Sequence, residues 1–135
     1  SASETASLSF SNKANRTTFT SKQQVWEQNG IKLTNDQASS TSPVADYSNP
    51  ARFYKSSKIT IVAPGQITKI VFDCNSSSYA TALKSSIGTV AGATVEISSD
   101  KVTVTFTSAV DSFVIASLSG GQVRMDSITV SYIPA

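Results

Sequence analysis

The sequence predicts an all-β fold, a sandwich or barrel of about nine short strands. Two observations carry that expectation. Ser and Thr alternate with Val, Ile and Phe over long runs, as in strands with one face in water and the other in a core. Turn-forming pairs punctuate those runs: Asn29-Gly30, Pro64-Gly65 and Gly120-Gly121. The length of 135 residues suits one domain able to bury its own core without disulfides. Residues 1–7 are small and polar and read as a linker remnant, leaving residues 8–135 as a single module.

Leu8 and Phe10 open the first strand. Gln23–Gln28, Asn29-Gly30 and Ile31–Thr34 then read as a hairpin, because Asn-Gly supplies the two positive φ angles of a type I′ turn. That turn sets a register in which Gln28 faces Ile31, Glu27 faces Lys32 and Trp26 faces Leu33. Trp26, Ile31 and Leu33 therefore share one face. The register favours a core role for Trp26 over the alternative of an exposed sugar platform. Residues 35–51 are polar and aperiodic, a connection long enough to be functional or disordered. It leads into Arg52-Phe53-Tyr54-Lys55. Strand signals follow at Lys58–Val62, closed by Pro64-Gly65, and at Ile67–Cys74. One short helix is expected near 78–87: Ser76, Ser77 or Ser78 offers an N-cap, Tyr79, Ala82, Leu83 and Ile87 share a face, and Gly88 ends it. Val95–Ile97 and Val102–Phe106 flank a hairpin loop at Ser98–Lys101. Phe113–Ile115, Gln122–Met125 and Ser127–Tyr132 complete the strands.

Several functional classes are disfavoured by composition. The chain has no histidine, which removes Ser–His–Asp triads, a Cys–His pair and histidine-based metal sites. The lone cysteine, Cys74, shares a strand face with Ile70 and Phe72 and reads as a small buried hydrophobe. The 9 acidic residues are scattered, mostly on turns, with nothing to suggest the paired carboxylates of a glycosidase. No catalytic residues and no cofactor are expected. The net charge is +2 without a basic block, so no nucleic-acid partner is expected. No apolar run is long enough to span a membrane. No signal peptide is present, so an exported protein would begin after cleavage or be a cut-out module. Asn15-Arg16-Thr17 and Asn75-Ser76-Ser77 match the N-glycosylation pattern, as chance allows in a chain so rich in Ser and Thr.

Four segments taken together carry a family resemblance: Asn29-Gly30-Ile31-Lys32-Leu33-Thr34, Arg52 through Ile61, Ile67 through Phe72, and Val123 through Val130. The series resembles the jelly-roll, galactose-binding-like modules appended to secreted polysaccharide-degrading enzymes and surface proteins of bacteria. The resemblance implies a two-sheet antiparallel β-sandwich. It also implies a non-catalytic carbohydrate-binding module that targets a larger extracellular or cell-surface protein to a polysaccharide or glycan. Such a module would be a monomeric unit of a multidomain chain. Many of them carry a structural calcium, which the scattered acids here do not compel. The alternative is a structural spacer or adhesion domain that contacts protein.

A sugar site needs an aromatic face to stack on a pyranose ring and planar groups to read its hydroxyls. The segment Asp46–Lys55 holds the densest set. Tyr47 and Tyr54 could stack, Asp46, Asn49 and Arg52 could hydrogen bond, and Arg52 or Lys55 could meet a uronic acid carboxylate. Against this stands a plain structural role: Phe53 in the core, Tyr54 on a sheet rim and Arg52 a solvated strand residue. Arg124 is a further candidate, placed on a loop by the neighbouring Gly120-Gly121, or else a surface arginine leaning on a strand.

Overall fold

The computed structural model describes residues 2–135. Nine strands are present: β1 Glu4–Ser9, β2 Arg16–Phe19, β3 Gln23–Gln28, β4 Ile31–Asp36, β5 Ala51–Tyr54, β6 Lys58–Cys74, β7 Ala93–Ser98, β8 Lys101–Ile115 and β9 Gln122–Pro134. One α-helix, α1 (Ser77–Ile87), follows β6, and a 3-10 turn occupies Lys13–Asn15. All strand pairings are antiparallel and join into one connected sheet.

The hairpin of β3 and β4 has the register read from its turn. Trp26 opposes Leu33, Glu27 opposes Lys32 and Gln28 opposes Ile31. Asn29 and Gly30 both have positive φ, at 53° and 80°. Trp26, Ile31 and Leu33 are fully buried, so the indole is a core side chain. It packs edge-on against Phe10, with ring centroids 5.2 Å apart, and Phe10 in turn meets Phe53 at 6.0 Å.

Three expected strand pairs prove to be single strands. Pro64-Gly65 does not end β6; the strand changes partners across it. Residues 58–62 pair with β4, and residues 65–74 pair with β9. β8 runs beside β6 on both sides of Pro64-Gly65, its residues 112–115 on the first half and 101–105 on the second. The side-chain alternation changes phase within each strand. In β6 the core positions are Ile59, Ile61 and Ile67, then Ile70, Phe72 and Cys74. In β8 they are Val102, Val104 and Phe106, then Phe113 and Ile115. The β6 shift falls at Thr68, where the register with β9 jumps by one residue and the Thr68 hydroxyl donates to the Ser131 carbonyl at 3.1 Å. Gln122–Met125 and Ser127–Tyr132 likewise merge into β9, with β5 and then β1 along one edge.

Other boundaries also differ from expectation. Residues 4–7, read as part of a linker, lie in β1 and pair with β9 from Glu4 opposite Tyr132 onward. β2 carried no apolar alternation and was not expected. It is an exposed edge, with Phe19 under the Arg16 guanidinium at 4.3 Å. The β7–β8 turn is tighter than expected, since Ser98 and Lys101 already pair and Ser99 takes φ 56°. α1 follows its signals closely. The Ser76 side chain accepts from the Tyr79 N–H, and Gly88 closes the helix at φ 65°.

One core cluster draws Trp26, Ile31 and Leu33 together with Leu8, Phe53, Ile70, Leu83 and Val130, so all these pairings share a single interior. Replacing Trp26 by Ala should lower stability by about 3–5 kcal/mol, read by urea denaturation, because the site cannot refill an indole. Gly65 is held more tightly still: a Cβ there would lie 1.9 Å from the Ile133 carbonyl oxygen. Gly65→Ala should cost about 1–3 kcal/mol or more by the same measurement, since backbone must move.

Candidate functional site

The loop between β4 and β5 is fastened to the sheet. The Gln37 N–H donates to the Lys22 carbonyl, the Val44 N–H to Ser21 and the Asn49 N–H to Phe10, at 2.7–3.0 Å. Val44 and Ser40 are buried. Asp46 pairs with Arg16 at 2.6 Å and Lys13 at 3.0 Å. Those cations, Arg16 chiefly, hold its carboxyl below the ordinary range. Asp46 thus anchors the loop to β2, with one carboxylate oxygen taking both cations. Asn49 leads through a cis peptide bond to Pro50 and into β5.

This fastening places Tyr47 over Arg52. Ala51 and Phe53 are fully buried, so Arg52 and Tyr54 project from the opposite face of β5. The Arg52 guanidinium carbon lies 3.7 Å from the Tyr47 ring centroid, and Tyr47 is 44% exposed. β5 pairs with the start of β9, putting Arg52 directly opposite Arg124 and Tyr54 opposite Gln122. Arg124 is therefore a strand residue; the loop position expected from Gly120-Gly121 ends one residue short of β9. Its Nε donates to the Gln122 side chain at 2.9 Å.

The far end of the array comes from α1. Cys74 pairs with Met125, and the Asn75 N–H donates to the Arg124 carbonyl at 2.9 Å. The chain then turns into the helix, whose third residue, Tyr79, meets Arg124 at 5.3 Å from ring centroid to guanidinium. The outcome is a row across the outer face: Tyr47, Arg52, Arg124, Tyr79. Tyr54 and Gln122 flank it. Lys55 is exposed at its end, beside a shallow depression rimmed by Ser39, Ser40, Thr41, Ser42, Ser56 and Gly121.

Of the residues singled out from sequence, Tyr47, Arg52, Tyr54 and Arg124 come together, with Lys55 adjoining. Asp46 faces Arg16 and Lys13 instead, and Asn49 is exposed beside Pro50 with no side-chain hydrogen bond among the described residues. Sequence reasoning missed Tyr79 and Gln122. Tyr79 read only as a helix packing residue, because its place over Arg124 depends on the long-range register of β6 and β9.

Other features offer less chemistry. A groove of about 600 Å³ lies between the end of α1 and the second half of β8. Ser, Thr, Ala and aliphatic side chains line it, with two buried phenylalanines and no charged group. Gln24 and Asn35 form a buried amide pair at 3.5 Å, sealed from any ligand. No three His, Cys, Asp or Glu side chains converge among the described residues. No protein-family model, curated protein or solved structure matches the chain.

Cys74 is fully buried, and burial, followed by the charges of Asp73, Asp100 and Asp126, pushes its thiol up to about 12 from an ordinary 9.0. An unfolded chain releases that proton near 9, whereas the native state holds it until about 12. The native state therefore binds more protons across that window, and stability falls as the pH rises through it. Urea titrations at a series of pH values should show a steeper alkaline loss for the native protein than for Cys74→Ala. The native thiol should also resist a thiol reagent at neutral pH.

Proposed function

We propose that the chain is a non-catalytic carbohydrate-binding module of an extracellular protein, folded as a two-layered jelly-roll sandwich. The layered reading is supported by the partner exchange within β6 and β8. One half of each strand belongs with β2, β3 and β4, and the other half with β1, β5, β7 and β9. The binding reading is carried by the row Tyr47, Arg52, Arg124 and Tyr79 on the outer face of β5 and β9. Aromatic faces can stack on sugar rings, and planar guanidinium and amide groups can take paired hydroxyls. A row running across a strand pair suits the side of an extended chain, and no reacting group is needed there. The hydroxyl-rimmed depression at Lys55 extends the same surface.

Affinity electrophoresis against a panel of neutral and acidic polysaccharides tests the reading. Retardation by at least one of them is expected, and a flat result across the panel would leave a spacer or protein-adhesion role instead. Tyr47→Ala and Tyr54→Ala should each weaken the retained interaction by about 1–3 kcal/mol without lowering the melting temperature comparably.

A further inference from the structure

From the charge balance of this row we infer that its ligand carries an oxyanion on the sugar, a carboxylate or a sulfate. This deepens the glycan-binding reading and rests on it. Arg52 and Arg124 are directly opposed across an antiparallel pair, which sets their Cα atoms about 5 Å apart. Like charges in that position repel and destabilise the sheet. Neither arginine forms an ion pair among the described residues; the salt bridges there involve only Lys13, Arg16 and Lys101. Asp126, two residues beyond Arg124 at a register shift of β9, forms no ion pair with it; its carboxylate keeps its charge and accepts from the Asn75 side chain at 3.2 Å. Asp46, next to Tyr47, is held by Arg16 and Lys13. Lys55 adds a further positive charge at the end of the row.

The arginines are nonetheless fixed in place. Tyr47 stacks on one and Tyr79 supports the other. The Arg52 Nε is buried without any acceptor, so the guanidinium is held by stacking and not by hydrogen bonds within the protein. With Arg124 Nε taken by Gln122 and Arg52 Nε buried, the terminal N–H groups of the two guanidiniums remain to take one bridging oxyanion. A neutral sugar would leave the repulsion in place, whereas an acidic one removes it.

The test compares the whole chain on polygalacturonate against fully methyl-esterified pectin, and on dextran sulfate against dextran. At least tenfold tighter binding to a charged member than to its neutral counterpart is expected, weakening as salt is raised. Retention by polygalacturonate assigns the carboxylate, and retention by dextran sulfate assigns the sulfate. Arg52→Gln and Arg124→Gln should each lose about tenfold or more. Lys69→Gln, an equal change of charge seven residues further along β9 at its Ser131 partner, should stay within about twofold. Arg124→Gln should keep or raise the melting temperature, since it removes a repulsion; should Arg52→Gln unfold, Arg124→Lys, which keeps the charge and loses the fork, carries the test with it. Equal binding of neutral and charged polymers would overturn the inference and leave glycan binding standing. No binding to any of the four, alongside a flat neutral panel, would overturn both. A loss from Lys69→Gln matching that from Arg124→Gln would reduce the effect to net charge and overturn the assigned site.

Discussion

The close approach at Gly65 is the constraint on which the remaining architecture depends. β6 changes partners there while β9 stays hydrogen-bonded, and the Ile133 carbonyl occupies the space where any other residue would carry its Cβ. Pro64 presses from the other side against Gly30, whose Cβ position would lie 2.4 Å from the proline Cγ. The β3–β4 turn is thus seated on the same point of β6. A single glycine on each side of one proline sets where the first half of the strand parts from the second. With that point fixed, β4 and β3 follow the first half, β9 follows the second, and Trp26 arrives against Phe10. One strand thus serves both sets of partners, and a single core cluster spans them.

That arrangement explains which parts of the fold were legible in the sequence. The β3–β4 hairpin was readable because its information is local: two residues with positive φ fix a register, and the register fixes the faces. α1 was readable for the same reason, since its cap, its apolar face and its closing glycine fall within thirteen residues. The continuity of β6 and β8 was not. A phase change in period-2 alternation looks the same in sequence whether the chain turns back or merely bulges, and Pro64-Gly65 is a turn signal by composition. β2 was invisible because an exposed edge needs no apolar alternation; it is held by backbone pairing to β3 and by Arg16 reaching Phe19 and Asp46.

The candidate site divides in the same way. Tyr47, Arg52 and Tyr54 were visible because aromatic and guanidinium groups are concentrated within a few residues, and the short strand β5 puts Arg52 and Tyr54 on one face. Asp46 belonged to the same stretch and yet serves the loop's attachment, a role decided by Arg16 thirty residues earlier in the chain. Arg124 was named without its reason, which is the register of β5 on β9. Tyr79 could have been found only by knowing that Cys74 pairs with Met125.

A surface of this kind differs physically from a structural one. Two arginines opposed across a strand pair lower the stability of the sheet, and a sequence under selection for stability alone would relieve the repulsion with a glutamate or a threonine at either position. The protein instead spends two tyrosines, one from a tethered loop and one from a helix, to keep both guanidiniums oriented. The loop attachment at Asp46 and the helix start at Ser76 bring those rings to the same row, while Tyr79 also packs against the core. Preorganised cations without an ion-pair partner gain from an external counter-charge, because little rearrangement is required when it arrives. On the proposed reading, the cost to folding and the gain in binding are two sides of the same geometry at Arg52 and Arg124.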